Sequence, residues 1–152
     1  MRPWQLNLIV AWVWILLGFL SGLGLGLFFH RENWLGGYAS FKRRLYRLCH
    51  ISFFGLGLLN LCFVLTVQNL SLSQPLLSTA SFCFITGAVL MPSCCLLIAH
   101  FPRTRLLFAL PVLSLVLGGA LTVIGVAKPL QANGTIASTA PESNPALVPA
   151  HH

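Results

Sequence analysis

The chain has 152 residues, of which 57% are hydrophobic and 7% charged, with a formal net charge of +7 and a mean hydropathy of +0.85. A soluble domain carries about 25% charged residues, so this composition excludes a water-facing surface over most of the chain and predicts an integral membrane protein. The positive charge lies in loops beside apolar segments, where it meets anionic lipid headgroups. That placement argues against a nucleic-acid partner.

Four apolar segments predict four transmembrane helices, at about residues 6–29, 48–68, 76–99 and 106–127. Each is long enough to cross a hydrocarbon core of about 30 Å. Because short loops join successive spans, residues 1–128 are expected to form an all-α, antiparallel four-helix bundle. Residues 129–152 are rich in Ala, Ser, Pro and Asn and are predicted to form an extended or disordered tail.

The first span contains three glycines that recur every four residues, Gly18, Gly22 and Gly26. At 3.6 residues per turn they line one face of the helix and allow another helix to approach closely. Packing within the same bundle is the favoured interpretation of this face. Docking of another protein is the alternative.

The loop after the first span holds most of the charge in the chain. Its segment Tyr38–Arg47 is predicted to be short, basic and amphipathic. Four cationic side chains are expected to lie on the membrane surface against anionic headgroups: Lys42, Arg43, Arg44 and Arg47. A docking surface for an acidic partner is the alternative.

The later spans carry a few polar or irregular positions. Asn60 lies in the second span, where an unpaired amide is unfavourable, so it is expected to hydrogen-bond across helices. Pro92 is expected to kink the third span or to free a carbonyl. In the fourth span, a second set of small residues recurs at four-residue spacing: Ser114, Gly118 and Thr122.

Lysine and arginine counts predict the orientation, because cytoplasmic loops are enriched in both residues. The first loop is strongly basic, and the third loop contains Arg103 and Arg105. The opposite side has only Arg2 and Lys128 near the spans. Both termini are therefore expected on the non-cytoplasmic side, in the inner membrane of a bacterium.

Histidines and cysteines are the residues that could hold a metal or haem. In an antiparallel bundle, His30, His50 and His100 fall at the basic end, and Cys49, Cys94 and Cys95 fall in the same leaflet. Imidazole and thiolate bind zinc, copper and haem iron. No Cys-x-x-Cys-His, His-x-x-x-His or Cys-x-x-Cys motif is present. Interfacial or hydrogen-bonded histidines are the favoured interpretation, and a cofactor site is the alternative.

Catalytic groups are scarce. The chain has no aspartate, and its two glutamates, Glu32 and Glu142, lie outside the spans, so no carboxylate pair is available for acid–base chemistry. We expect a non-enzymatic accessory or assembly subunit that packs against a larger membrane complex, with respiratory and photosynthetic complexes as the expected class. The alternative is a haem-, copper- or zinc-binding protein that uses the histidines at the cytoplasmic face.

Overall fold

A computed structural model describes residues 3–69 and 74–138, with side chains described for residues 4–69 and 74–127. It contains four long helices, α1 (Pro3–Phe29), α2 (Phe41–Asn69), α3 (Gln74–His100) and α4 (Ala109–Ser138). Short 3-10 turns lie at Trp34–Gly36 and Pro102–Phe108. The predicted all-α four-helix fold is confirmed.

Four helical segments are long and apolar enough to cross a membrane: Trp4–Phe29, Phe41–Asn69, Gln74–His100 and Pro102–Ala127. Length and composition therefore identify an integral membrane protein.

Two helix boundaries differ from the predicted spans. Helix α2 begins at Phe41, so most of the basic segment forms its first two turns and continues into the span. Helix α4 continues to Ser138, although composition predicts a tail from residue 129. Once a helix has formed, each added residue other than proline gains a backbone hydrogen bond, so a polar sequence can extend an apolar helix. Residues 139–152 of the predicted tail lie outside the described part of the chain.

The helices share the core unequally. Helices α2 and α3 pack together at the centre, α1 packs on both of them, and α4 packs chiefly on α3. Half of the residues in the most apolar part of α3 are buried, compared with 11% in α1 and α4. A central cluster comprises Phe63, Leu77, Ala80 and Phe84. The outer faces of α1 and α4 therefore remain available to lipid or to another protein.

The inner face of α1 follows a seven-residue repeat. Asn7, Trp14 and Ser21 are spaced by seven residues, and each donates or shares a hydrogen bond with α2 or α3. Ala11 and Gly18 lie between them and are buried. A seven-residue repeat keeps one face of a helix against its neighbours when the helices cross with a left-handed twist.

The connection between α1 and α2 reverses direction through left-handed backbone. Leu35, Gly36 and Gly37 have φ angles of 55°, 86° and 92°. Glycine adopts this region without strain, whereas Leu35 is a non-glycine residue there. The turn brings the Trp34 ring back onto Phe28, with ring centroids 5.8 Å apart and planes 15° from parallel. It thereby covers the end of α1 with an aromatic side chain.

Candidate functional site

His30, which directly follows α1, and His50 and His100, which lie in α2 and α3, are found toward one end of the bundle, which we call the basic end. It is formed by the α1–α2 connection and the α3–α4 connection. His30 and His100 are exposed, whereas His50 is half-buried. The Nε2 atom of His100 lies 3.2 Å from the Tyr46 hydroxyl. Among the described residues, no three His, Cys, Asp or Glu side chains lie together in a way that could hold a metal ion.

His50 contacts α1 through Ser21. The Ser21 Oγ atom lies 2.9 Å from His50 Nδ1 and 3.0 Å from the Gly18 carbonyl oxygen. A hydroxyl has only one proton, so two arrangements are available. When Ser21 donates to Gly18, Nδ1 carries a proton and Nε2 carries a lone pair. When Ser21 donates to Nδ1, Nε2 carries the proton.

The absence of a side chain at Gly22 makes room for the His50 ring. A Cβ atom at position 22 would lie 2.8 Å from His50 Cε1, closer than van der Waals contact allows. One turn earlier, a Cβ atom at Gly18 would lie 2.9 Å from the Phe54 ring. Gly22 and Gly18 therefore make room for the His50 and Phe54 side chains of α2, and both glycines are part of the internal α1–α2 contact.

A pocket of about 340 Å³ lies beside His50, between α1, α2, Trp34 of the connecting turn and one residue of α3. Aromatic and small residues dominate its lining, which comprises Ser21, Gly24, Leu25, Phe28, Trp34, Tyr46, Cys49, His50, Phe53 and Leu96. No lysine or arginine lines it among the described residues. His50 Nε2 has no hydrogen-bond partner in the part of the chain that the structure describes. This volume lies in the range of small-molecule sites, and apolar walls with a few polar groups are typical of them.

The three cysteines near the basic end act as small buried packing residues. The thiol of Cys49 donates to the Pro92 carbonyl at 3.7 Å, and that of Cys94 donates to the Leu107 carbonyl at 3.6 Å. Cys95 is fully buried. All three thiols are free. Their contacts connect α2 to α3 and α3 to the following turn.

Arg43 differs from the other three cationic residues of the basic segment. Lys42, Arg44 and Arg47 are exposed, but Arg43 is only 1% exposed, so its assignment to the membrane surface is incorrect. Its Nη2 atom donates a 2.7 Å hydrogen bond to the Phe29 carbonyl at the end of α1. Charge patterning identifies a cation but not the direction of its side chain.

Three aromatic rings surround the Arg43 guanidinium. Its central carbon lies 4.0 Å from the Tyr38 ring centroid, 5.0 Å from that of Phe29 and 5.7 Å from that of Trp34. Cation–π attraction to these rings offsets part of the desolvation of the charge. The Nε and Nη1 atoms have no hydrogen-bond partner in the described residues. The arrangement caps α1 and holds the connection against α2.

A buried polar cluster joins α1, α2 and α3 in the half of the bundle away from the basic end. The Asn7 Nδ2 atom donates to Asn60 Oδ1 at 2.8 Å, and the Ser81 hydroxyl donates to Asn7 Oδ1. Asn60 Nδ2 donates to the Leu56 carbonyl at 2.8 Å. Both asparagines are fully buried. Sequence analysis identified Asn60 but missed Asn7, an amide in an otherwise apolar stretch that could have been recognised as the partner.

The remaining small residues have different environments. At Gly26 a Cβ atom would meet nothing within 4 Å, so this glycine is not closely packed. A Cβ at Gly118 would lie 3.1 Å from the Cys83 Cβ atom, and the Ser114 hydroxyl donates to the Cys83 carbonyl at 2.8 Å. Thr122 instead donates to the Gly118 carbonyl of its own helix. Gly118 and Ser114 therefore lie at the α3–α4 contact.

Comparison with protein-family models, curated proteins and solved structures finds no match to this chain. The class of protein is therefore defined by the fold alone, as a four-helix integral membrane protein.

Proposed function

We propose that the protein is a non-enzymatic accessory or assembly subunit that packs against a larger membrane-protein complex through the outer face of α1. The observation that supports this proposal is a continuous stripe of large apolar side chains on that face. The stripe comprises Trp12, Leu16, Phe19, Leu23 and Leu27, each between 57% and 64% exposed. We call it the α1 stripe.

The spacing of the α1 stripe suits a partner helix. Its residues recur at intervals of four, three, four and four, close to the spacing that keeps one face of a helix against another. Gly26, with open space around it, directly precedes Leu27 and follows Leu23 by three residues, and it would allow close approach.

Residue chemistry favours α1 over α4 as the docking face. The α1 stripe includes Trp12 and Phe19, and aromatic residues are enriched in protein interfaces. The large side chains exposed on α4 are Leu, Val and Ile in the described residues, as expected of a face that meets lipid.

We further propose that the basic end faces the cytoplasm of a bacterial inner membrane, with both termini on the other side, since lysine and arginine are enriched in cytoplasmic loops.

Photocrosslinking in the native membrane tests the docking face. A photoreactive amino acid would replace Phe19 on the α1 stripe, and the matched control would replace Leu113 on α4, since both side chains are 64% exposed. We expect a protein adduct of discrete mass from position 19 and lipid adducts alone from position 113.

Native electrophoresis in mild detergent gives a second readout. The wild-type protein is expected to migrate in a large assembly and to leave it when Phe19 and Leu23 are both replaced by alanine. Migration as a free monomer, together with lipid adducts alone from position 19, would contradict the proposal. Identification of the crosslinked protein would show whether the complex is respiratory, photosynthetic or of another class.

Haem or metal binding by His30, His50 and His100 has less support. The three side chains have separate environments, with His30 and His100 exposed and His50 half-buried against Ser21. The prediction remains testable by an absorption spectrum and metal analysis of the purified protein. A Soret band or stoichiometric copper or zinc that disappears in the His50→Ala variant would support it.

A further inference from the structure

We propose that the pocket beside His50 binds the ring of a membrane-soluble quinone or quinol. The pocket is the 340 Å³ space between α1, α2, Trp34 and Leu96, and its polar side-chain groups belong to Ser21, Trp34, Tyr46, Cys49 and His50. This inference concerns a small-molecule site and does not depend on the α1 stripe.

The hydrogen-bonding chemistry of His50 matches both forms of such a ligand. A quinone oxygen accepts a hydrogen bond, whereas a quinol hydroxyl can donate one. The Ser21 hydroxyl lies within hydrogen-bond distance of both His50 Nδ1 and the Gly18 carbonyl. Donation to Nδ1 leaves a proton on Nε2 for a quinone oxygen. Donation to Gly18 leaves a lone pair on Nε2 for a quinol hydroxyl.

The walls of the pocket suit a flat ring. Phe28 and Trp34 stack with their planes 15° apart, and both line the pocket. Phe53 and Tyr46 add two more aromatic walls. Aromatic rings pack favourably on one another in offset or edge-on arrangements, beyond the effect of area burial.

The charge and position of the pocket favour a neutral lipid-soluble ligand. Fatty acids carry a carboxylate and phospholipid headgroups carry a phosphate, and the described lining has no lysine or arginine to pair with either group. The pocket lies between helices of membrane-spanning length, and two of its lining residues, Phe28 and Leu96, are each 40% exposed. A ligand dissolved in the bilayer can therefore reach the pocket between Phe28 and Leu96.

A second hydroxyl–imidazole pair adjoins the same pocket. The Tyr46 ring lines it, and the Tyr46 hydroxyl lies 3.2 Å from Nε2 of the exposed His100. Tyr46 and His50 are separated by one helical turn of α2, so the two pairs lie on neighbouring turns. A bound ring would therefore lie close to two groups able to exchange hydrogen bonds with it.

The test uses the purified full-length protein in nanodiscs of phosphatidylcholine, titrated with decylubiquinone. The quinone retained above the amount in empty nanodiscs measures binding and subtracts partition into lipid. We expect saturable binding approaching one equivalent per chain. We also expect decylubiquinol to compete, and dodecanol and cholesterol not to do so.

Two glycine variants form a matched pair. Both Gly24 and Gly26 have open space around the position of a Cβ atom, so a side chain can begin at either site without a clash, but only Gly24 lines the pocket. Gly24→Leu is expected to abolish saturable binding, and Gly26→Leu to retain it. His50→Phe removes the hydrogen bond and is expected to weaken binding about tenfold.

Three results would overturn the proposal. One is saturable binding in Gly24→Leu equal to that of the wild type. Another is retention no greater than that of empty nanodiscs. The third is equal competition by dodecanol or cholesterol, which would indicate a site for hydrocarbon in general. If His50→Phe fails to fold, as judged by its thermal unfolding, the Gly24 and Gly26 pair alone decides the outcome.

Discussion

The indole N–H of Trp14 donates a 2.9 Å hydrogen bond to the carbonyl oxygen of Ala88 on α3. Ala88 is fully buried, and Pro92 follows it by four residues. Proline has no backbone N–H, so it cannot supply the helical hydrogen bond that this carbonyl would otherwise accept. Trp14 of α1 therefore satisfies the carbonyl that Pro92 leaves free in α3.

The stability of the protein should therefore depend on the hydrogen bond from Trp14 to Ala88. Trp14→Phe should destabilise the wild-type protein by about 1–3 kcal/mol, because a buried carbonyl loses its partner. In the Pro92→Ala background the same substitution should have a smaller effect, because residue 92 then supplies an N–H. Denaturation by sodium dodecyl sulfate in mixed micelles would measure the four free energies of unfolding. Equal effects of Trp14→Phe in both backgrounds would contradict this account.

The buried asparagine pair should behave as a unit. Asn7→Leu and Asn60→Leu are each expected to destabilise the protein by about 1–3 kcal/mol, because the remaining amide is left without its partner. The double variant should be less destabilised than the sum of the two singles. The same unfolding assay applies to all four proteins. Strict additivity would show that the 2.8 Å contact carries no coupling energy.

Alanine substitutions at two neighbouring glycines of α2 should have opposite effects on the stability of the protein. A Cβ atom at Gly57 would lie 3.0 Å from the Ala11 carbonyl oxygen and 3.3 Å from the Ile15 backbone nitrogen, so α1 would have to move. We expect Gly57→Ala to destabilise the bundle by about 1–3 kcal/mol. Gly55 has open space around it, so Gly55→Ala should stabilise the helix by up to about 1 kcal/mol. Thermal unfolding in detergent would distinguish them, and a stabilised Gly57→Ala protein would refute the close α1–α2 contact.

Arg43 should contribute more to the stability of the protein than its exposed neighbour Arg44. Arg43→Gln removes the 2.7 Å bond to the Phe29 carbonyl and the contacts with three rings, so we expect a loss of about 1.5–3 kcal/mol. Arg44→Gln should change stability by less than about 0.5 kcal/mol, because that side chain is exposed. Limited proteolysis of the α1–α2 connection would give a local readout. Equal protection in the two variants would argue against a capping role for Arg43.

Orientation is testable with reporter fusions. Alkaline phosphatase fused after His152 is expected to be active, because the proposed orientation places the C-terminus on the non-cytoplasmic side. The same enzyme inserted at Thr104, in the turn after α3, should be inactive. The reverse pattern would place the basic end outside the cytoplasm and would remove the basis of the orientation.

The four spanning helices could be predicted because the length of an apolar segment is enough to identify a membrane span. Hydropathy identifies four spans, and the isolated amide of Asn60 indicates an interhelical hydrogen bond without revealing its partner. The extension of α4 to Ser138 was not predictable from composition, since Pro129 and Gly134 lie in this segment and both residue types disfavour a helix.

The details of the basic end depend on tertiary structure. The left-handed backbone from Leu35 to Gly37 folds Trp34 onto Phe28. The Trp34 ring is then one of the three aromatic rings around the Arg43 guanidinium. A linear charge pattern carries no information on this turn, so Arg43 was assigned to the surface. The pocket was missed for a related reason, because its lining comes from three helices and the turn.

The heptad positions Asn7, Trp14 and Ser21 also fix how far α1 is inserted relative to its neighbours. One added residue between them would rotate the following part of the helix by about 100° and translate it by about 1.5 Å, which would separate Ser21 from His50 while Asn7 kept its partner. Insertions of a whole heptad would preserve the facing side but lengthen the span by about 10 Å. The number of residues between Asn7 and Ser21 is therefore constrained by these two contacts, and homologues are expected to vary in length only outside this segment.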